Sequence, residues 1–380
     1  MNGGVNTAQV LRQFLPAYRQ HHALTPQQGK IAGLLCRCRT EAMGSLDWAC
    51  GRCGYREIRY RSCRNRHCPQ CQQRASADWL AARREDLLPV PYFHVVFTVP
   101  HQLNTWAQLH PEQIYAILFK AVWHTLRRFG EDPKRLNGQL GMTAVLHTWG
   151  QNLSQHVHLH CLIPGGAYQQ ADQRWRPARS TYLFPVKALM RVYRGYMVSL
   201  LREAYREGQL TRLSDAAEVD HCLNELMQTP WVVYARSTCQ HSSTVLPYLA
   251  RYTHRIAISD TRLESVSRDS VSFRYKDYAA GGTKKSLALK GEEFVRRLLL
   301  HVLPHGFMRI RHYGFMAKAC RRKRLSEILR CLDKTPPATQ TVAEACQLTQ
   351  QLQTGCAVCP QCKQPALRIV GERPSEGRRR

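Results

Sequence analysis

The sequence predicts an α+β protein: an antiparallel sheet of the ferredoxin-like, split-βαβ kind, with a small cysteine-rich module ahead of it. Three observations carry that expectation. The middle of the chain alternates strand-like and helix-like stretches in the order β-α-β-β-α-β. One strand-like stretch reads His156-Val157-His158-Leu159-His160, a strict period-two alternation that runs on into Cys161-Leu162-Ile163. Near the start, two C-x2-C pairs, Cys50/Cys53 and Cys68/Cys71, stand fourteen residues apart.

Composition sets the frame for these elements. At 380 residues the chain has room for two or three domains with cores of their own. Its 55 Lys and Arg against 27 Asp and Glu give a net charge of +28, which calls for a polyanionic partner, nucleic acid before a membrane surface. There is no apolar run of the roughly 18 residues that a membrane span needs. The opening MNGGVNTAQVLRQF lacks the apolar centre of a signal peptide, so a cytoplasmic protein is expected. Sixteen Cys in such a chain imply metal ligands and buried thiols rather than disulfides.

Taken in order, Val10, Leu11, Phe14 and Leu15 suit a short helix over 7–22, and Pro26 opens another through Leu35. The knuckles follow. Each places two thiolates on a tight turn, so Cys50, Cys53, Cys68 and Cys71 together would close a tetrahedral, structural Zn²⁺ site. Cys38, Cys63 and His67 stand close enough in sequence to build a second one. Arg59, Arg61, Arg64, Arg66 and Arg74 surround the module and suit contact with phosphate. After a charged helix and linker over 80–89, Tyr92–Val99 is rich in β-branched and aromatic residues and reads as a strand. Pro111–Phe129 carries a helical apolar stripe, Met142–Thr148 and His156–Ile163 are strands, Phe184–Glu207 is a long amphipathic helix, and Trp231–Arg236 is a fourth strand.

On a strand, His156, His158 and His160 share one face while Val157 and Leu159 take the other, which makes a row of imidazoles backed by a core. In Ser243–His254 a helix is expected, with Tyr248 and Tyr252 one turn apart and Arg255 on roughly the same side. Ile256–Ser259, Leu263–Ser267, Val271–Lys276 and Lys285–Leu289 read as a small antiparallel sheet, followed by a helix over 292–302. The stretch 307–328 is a basic run suited to a DNA backbone, with Arg309, Arg311, Arg321, Arg322, Lys323 and Arg324 as candidate contacts. Residues 332–341 read as a linker. Cys356, Cys359 and Cys362 would need a fourth ligand, such as Cys346, to hold metal, and the final GERPSEGRRR is expected to be disordered. The chain thus divides into helices and zinc module (1–80), sheet core with the tyrosine helix (90–260), basic small-sheet extension (261–330), and a linker with a Cys-containing basic tail (331–380).

The motifs FTVPHQL, HVHLHCLIPGG, YLARYTHRIAIS and RIRHYGFMAK, preceded by SCRNRHCPQC, occur in that order with the zinc module ahead. In this combination the chain resembles the bacterial insertion-sequence transposases of the two-tyrosine HUH class, relatives of rolling-circle replication initiators and Helitrons. The resemblance runs from about residue 10 to about residue 330. It implies a single-stranded DNA endonuclease and strand transferase. A tyrosine would nick the strand, leaving a 5′-phosphotyrosine and a free 3′-OH. By position, Tyr248 and Tyr252 match the two tyrosines, and His158 and His160 match the pair that holds a divalent metal, Mg²⁺ or Mn²⁺, although His156 and His158 form the same motif one step earlier. The third ligand stays open among Gln151, Asn152 and His156. A non-catalytic zinc-dependent DNA-binding protein, or a His-ligated zinc hydrolase, would fit the same residues less completely.

Overall fold

The computed structural model describes residues 5–72, 83, 86–179, 182–239, 245, 256–278, 280–333 and 357–375. Two helices open the chain, α1 (Thr7–His21) and α2 (Pro26–Arg37). Thr25 caps α2 in a capping box with Gln28, which satisfies the free amides of the first turn. The hairpin β1 (Ser45–Cys50) and β2 (Arg56–Tyr60) follows. The central elements are β3 (Tyr92–Thr98), α3 (Asn104–Leu109), α4 (Pro111–Glu131), β4 (Gly141–Trp149), β5 (Gln155–Pro164), the ribbon β6 (Gly166–Gln169) and β7 (Arg174–Pro177), α5 (Val186–Arg206), α6 (Ala216–Gln228) and β8 (Val233–Cys239). Beyond them lie β9 (Leu263–Val266), β10 (Ser270–Asp277), β11 (Thr283–Lys290), α7 (Gly291–Leu300), β12 (Ile310–Gly314), α8 (Arg321–Cys331) and β13 (Leu367–Arg373). None of the described helices is long and apolar enough to cross a membrane.

The main sheet is five-stranded, in the order β12-β4-β5-β3-β8, and every neighbouring pair is antiparallel. The histidine strand β5 is at its centre. One face is apolar: Phe93, Val95 and Phe97 of β3, Met142, Ala144 and Leu146 of β4, and Val157, Leu159, Cys161 and Ile163 of β5 are buried in a single core with α4 and α5. The alternation read from the sequence is therefore the alternation between that core and the opposite, histidine-bearing face. Tyr193 of α5 is fully buried and meets Phe97 edge-on at 5.0 Å, which seats the helix on the sheet.

Several expectations change. A helix at Ala216–Gln228, capped by Asp215, had not been foreseen. Ile256–Ser259 is no strand; Ala257 has φ +59°, which interrupts extended backbone, so the small sheet has three strands, β9 to β11. The basic run over 307–328 is split. Its first part is β12, an edge strand of the main sheet, and Gly314 (φ +60°) turns the chain toward α8, with a Cβ at that position meeting the carbonyl of Leu140. Nor is the tail separate from the rest, because β13 pairs with β1 and continues the β1–β2 hairpin into a three-stranded sheet. The expected helix over 243–254 falls outside the described residues except for Val245.

The N-terminal helices also pack against a distant part of the chain. Val10, Leu11, Phe14, Ile31 and Leu35 share one core with Phe273, Phe294 and Leu298 of the small-sheet region. Thr7 donates from both its amide (2.9 Å) and its hydroxyl (2.6 Å) to Asp260 Oδ1. Gly291, at the start of α7, is where the ring of Phe14 rests, and any Cβ there would overlap it.

Candidate metal centres and active site

The β1–β2 hairpin determines how the cysteines group. Cys50 and Cys53 lie at its turn, whereas Cys38 precedes β1 and Cys63 follows β2, at the hairpin's base. A six-residue strand puts the two ends roughly 17 Å apart, so no single ion reaches both. Cys68 and Cys71 join the base. The sulfurs of Cys38, Cys63, Cys68 and Cys71 form one group, with Cys38–Cys71 3.6 Å, Cys63–Cys71 3.7 Å and Cys38–Cys68 3.5 Å apart. The expected site of Cys50, Cys53, Cys68 and Cys71 is thus replaced by two groups. Cys50 and Cys53 are joined instead by Cys359 and Cys362. Cys346 and Cys356 lie outside the described residues.

His67 is not a member of either group. Its Nδ1 faces Asn65 Oδ1 at 3.0 Å and its Nε2 accepts from the Leu303 amide at 3.1 Å, so both ring nitrogens are engaged. Burial holds it neutral, with a pKa of about 3. Its work is to tie the cysteine module to the body of the protein.

On the histidine face of the main sheet, His147, His158 and His160 bring their ring nitrogens together. His147 on β4 is directly opposite His158 on β5, and His160 is the next residue on that face. The His158 and His160 Nε2 atoms are 3.0 Å apart, and the His147 ring is 4.3 Å from that of His160. All three expected candidates for the third position give way to His147. The His156 side chain is exposed at the start of β5; its ring tilts against that of His158 at 4.8 Å and its carbonyl accepts from His158, but its ring nitrogens are not among those that converge. Four residues along one strand span roughly 13 Å, whereas a cross-strand neighbour is about 5 Å away. Asn152 Oδ1 accepts from the Ser154 amide and hydroxyl in the β4–β5 turn, and the Gln151 carbonyl accepts from Arg262.

The hydrogen bonds orient the rings for an ion. His158 Nδ1 donates to the His156 carbonyl at 2.8 Å, leaving Nε2 with its lone pair. His160 Nδ1 faces His94 Nε2 at 2.8 Å, with the two rings stacked at 5.0 Å. Ligating imidazoles typically hold their second nitrogen in this way. Burial keeps His158 at a pKa of about 3 and His94 at about 4; burial first, then His147 and the other ring neighbours, hold His160 well below the ordinary imidazole value. The two β5 rings, neutral and with their outer nitrogens paired, fit a divalent cation. Neither His147 nor His94 had been singled out from sequence. His147 had a signal: folding the chain back at Gly150–Ser154, whose ends bond at 2.8 Å, brings residues 147 and 158 opposite one another. His94 had none, because the β3–β5 register is set by distant contacts.

Trp149 stacks on His147 at 4.3 Å, and the Arg309 guanidinium faces Trp149 at 5.9 Å. Arg309 is 7% exposed, with burial lowering its pKa to about 9, so it is an interior residue and not a surface phosphate contact. The other basic candidates differ among themselves. Arg311 lies over Phe119 at 4.3 Å, Arg321 pairs with Asp86 at 3.1 Å, and Arg324 with Glu327 at 2.8 Å. Arg322 and Lys323 are exposed. Tyr248, Tyr252 and Arg255 lie outside the described residues.

Residues 141–324 match the family model described as "Putative transposase" (the Y2 type), and residues 10–99 match the "Transposase zinc-binding domain" of the IS91 type. The chain is 40% identical over 373 residues to "Putative transposase y4qJ" of Sinorhizobium fredii, across 95% of this chain and 94% of that one. The chain belongs to the IS91-family transposases. It is also 23% identical over 319 residues to "Transposase for insertion sequence element IS801" of Pseudomonas savastanoi pv. phaseolicola, across 79% of this chain and 73% of that one. The zinc-binding match contains the cysteine group of Cys38, Cys63, Cys68 and Cys71, and the transposase match contains all three clustered histidines. Residues 325–380, with Cys359 and Cys362, lie beyond both matches.

Proposed function

We propose that this transposase nicks and rejoins single-stranded DNA through a 5′-phosphotyrosine, moving its insertion sequence by a rolling-circle-like route. The main sheet with its helices serves as the ferredoxin-like HUH nuclease core, His147, His158 and His160 hold the divalent ion, and Tyr248 and Tyr252 are the nucleophiles. The observation that carries the reading is the convergence of three imidazoles on one sheet face, with the outer nitrogens of two of them already paired. A bound Mg²⁺ or Mn²⁺ would supply positive charge to the phosphate oxygens. A three-imidazole set suits Mg²⁺ poorly, since that ion prefers carboxylate and phosphate oxygen, so Mn²⁺ is favoured.

The chain's own residues do the rest. The His156 carbonyl and His94 keep His158 and His160 in the ligating tautomer. A tyrosine oxygen forms a bond to phosphorus as the bond from phosphorus to the 3′-oxygen breaks. The phenolic proton passes to solvent, and the departing 3′-oxygen takes one up. Because the phosphodiester's bond energy is kept in the phosphotyrosine, rejoining requires no nucleotide cofactor. The tyrosine segment is flanked by residues that suit this role. Val245 is buried with Tyr92 and Leu162, which share the histidine face, and Ile256 is buried in the cluster against which Trp149 packs. Affinity for DNA comes from the +28 charge, with Arg255, Arg322 and Lys323 among the contacts.

The test is incubation with labelled single-stranded element ends and Mn²⁺, resolved by denaturing electrophoresis. A covalent adduct should form and should disappear in the Tyr248→Phe, Tyr252→Phe double variant. An adduct that persists there, mapped to Tyr234 or Tyr275, would assign the nucleophile elsewhere. Absence of any adduct alongside intact DNA binding would leave a zinc-dependent DNA-binding protein.

A further inference from the structure

Beside the cysteine group at the base of the N-terminal hairpin there is a second one at its tip, and half of it comes from the other end of the chain. Cys50 and Cys53 flank the β1–β2 turn, and Cys359 and Cys362 lie just before β13. The sulfurs of Cys50 and Cys362 are 3.7 Å apart, as are those of Cys53 and Cys359. Four thiolates about 2.3 Å from one zinc stand at tetrahedral edges of about 3.8 Å, whereas a disulfide would bring a pair to about 2.05 Å. The spacing is that of a metal site.

The two halves are also built alike. In the first knuckle the Cys50 amide donates to the Tyr55 carbonyl at 2.8 Å, and the Gly54 amide to the Cys50 carbonyl at 3.2 Å. In the second, the Cys359 amide donates to the Gln364 carbonyl at 2.8 Å, and the Lys363 amide to the Cys359 carbonyl at 2.9 Å. The residue after the second cysteine is left-handed in both, Gly54 at φ +73° and Lys363 at φ +59°. A lysine held in that conformation is uncommon and reflects the same turn being imposed without a glycine.

We propose that Cys50, Cys53, Cys359 and Cys362 bind a second structural Zn²⁺, which clasps the C-terminal segment onto the N-terminal ribbon. Little else holds that segment. Among the described residues, Cys50, Cys359 and Leu367 are the buried members of its small core, and the rest of β13 is largely exposed. Strand pairing with β1 and an ion pair from Arg61 to Glu372 add a polar, solvent-screened contribution. A closed four-thiolate site supplies what the apolar contacts lack, because its binding free energy is folding free energy. The inference is independent of the transposition chemistry, and either can fail without the other.

Metal analysis of the dialysed full-length protein should find two zinc ions per chain, and one in the Cys359→Ser, Cys362→Ser variant. A second measurement on the unaltered chain covers the case in which that variant does not fold. Thiol alkylation read by mass spectrometry should find Cys50, Cys53, Cys359 and Cys362 protected together, while the half-buried Cys222, which belongs to neither group, reacts. Chelator should expose the four in step. Two zinc ions in the variant, or rapid alkylation of Cys359 and Cys362 while Cys50 and Cys53 stay protected, would overturn the proposal.

Discussion

The cysteine group at the hairpin base and the histidine group on the main sheet are both fit for a metal ion, but their donor sets suit opposite purposes. Cys38, Cys63, Cys68 and Cys71 supply four donors, enough to fill a tetrahedral shell, and Cys38 and Cys68 are buried in the core shared by the N-terminal helices. Nothing is left for a substrate. His147, His158 and His160 supply three, on a sheet whose other face carries the main core, so the fold around them is held without an ion. A closed, anionic donor set lends its binding energy to folding, while an open, neutral one keeps coordination positions for substrate.

The largest expected effect separates the two directly. Replacing Cys38 and Cys68 by Ser should remove a binding contribution on the order of 10 kcal/mol and unfold the module, seen as lost zinc and a collapsed thermal transition. Alanine at His147, His158 or His160 should leave that transition within a few degrees of the parent and reduce cleavage by roughly 10²–10³-fold, the scale of losing preorganised charge stabilisation. If His158→Ala instead unfolds the protein, the histidines are structural and the contrast fails.

His94 sharpens the comparison at the next level. As the partner of His160 Nδ1, it acts through the ligand's orientation, and its loss should weaken metal affinity by roughly 10–100-fold. The measurement is a Mn²⁺ titration of cleavage: the midpoint should move while the saturated rate stays near the parent's. Loss of the saturated rate alone would place His94 in the chemistry rather than behind the ligand.

Acid should weaken the fold through buried histidines outside the clustered three. His301 is fully buried between Thr148 and the Leu153 carbonyl, and His312 bonds to Thr143; burial lowers both to a pKa of about 4. Unfolded, each would titrate at 6.5, so below that pH the unfolded chain takes up protons first. Their contribution is complete above pH 6.5 and is lost progressively down to about pH 4, by at most roughly 3 kcal/mol per ring. Urea midpoints at pH 8, 7, 6 and 5 should be flat at first and then fall. The smallest effect is expected at His156, whose ring is exposed: alanine there should change cleavage no more than about twofold, in line with surface substitutions within about 0.5 kcal/mol. A loss as large as that at His158 would restore it as a ligand.

What could be read without coordinates was whatever depends on local period and residue chemistry. The alternation in 155–164 made a strand with histidines on one side and core on the other, because successive strand residues must point oppositely. The stripe over 111–129 made a helix, the C-x2-C pairs made thiolate knuckles, and the motif order pointed to the transposase family. The helix at 216–228 was equally legible, with Val219, Leu223 and Leu226 at helical spacing behind an Asp215 cap, and is an omission rather than a limit of the sequence.

Which ligands share an ion was decided only in three dimensions. His147 enters because β4 folds back on β5 at a register that puts it opposite His158, and His94 because β3 lies on the other side of the same strand. Cys359 reaches Cys53 from 306 residues away because β13 extends the hairpin along β1. Sequence by itself determined which kinds of side chain could donate and, along β5, the face that His158 and His160 share, since both follow from side-chain chemistry and the two-residue repeat. The partners required the tertiary structure, because a metal shell is a condition on distances of a few ångströms between segments whose separation along the chain says nothing about where the sheet's pairing will bring them.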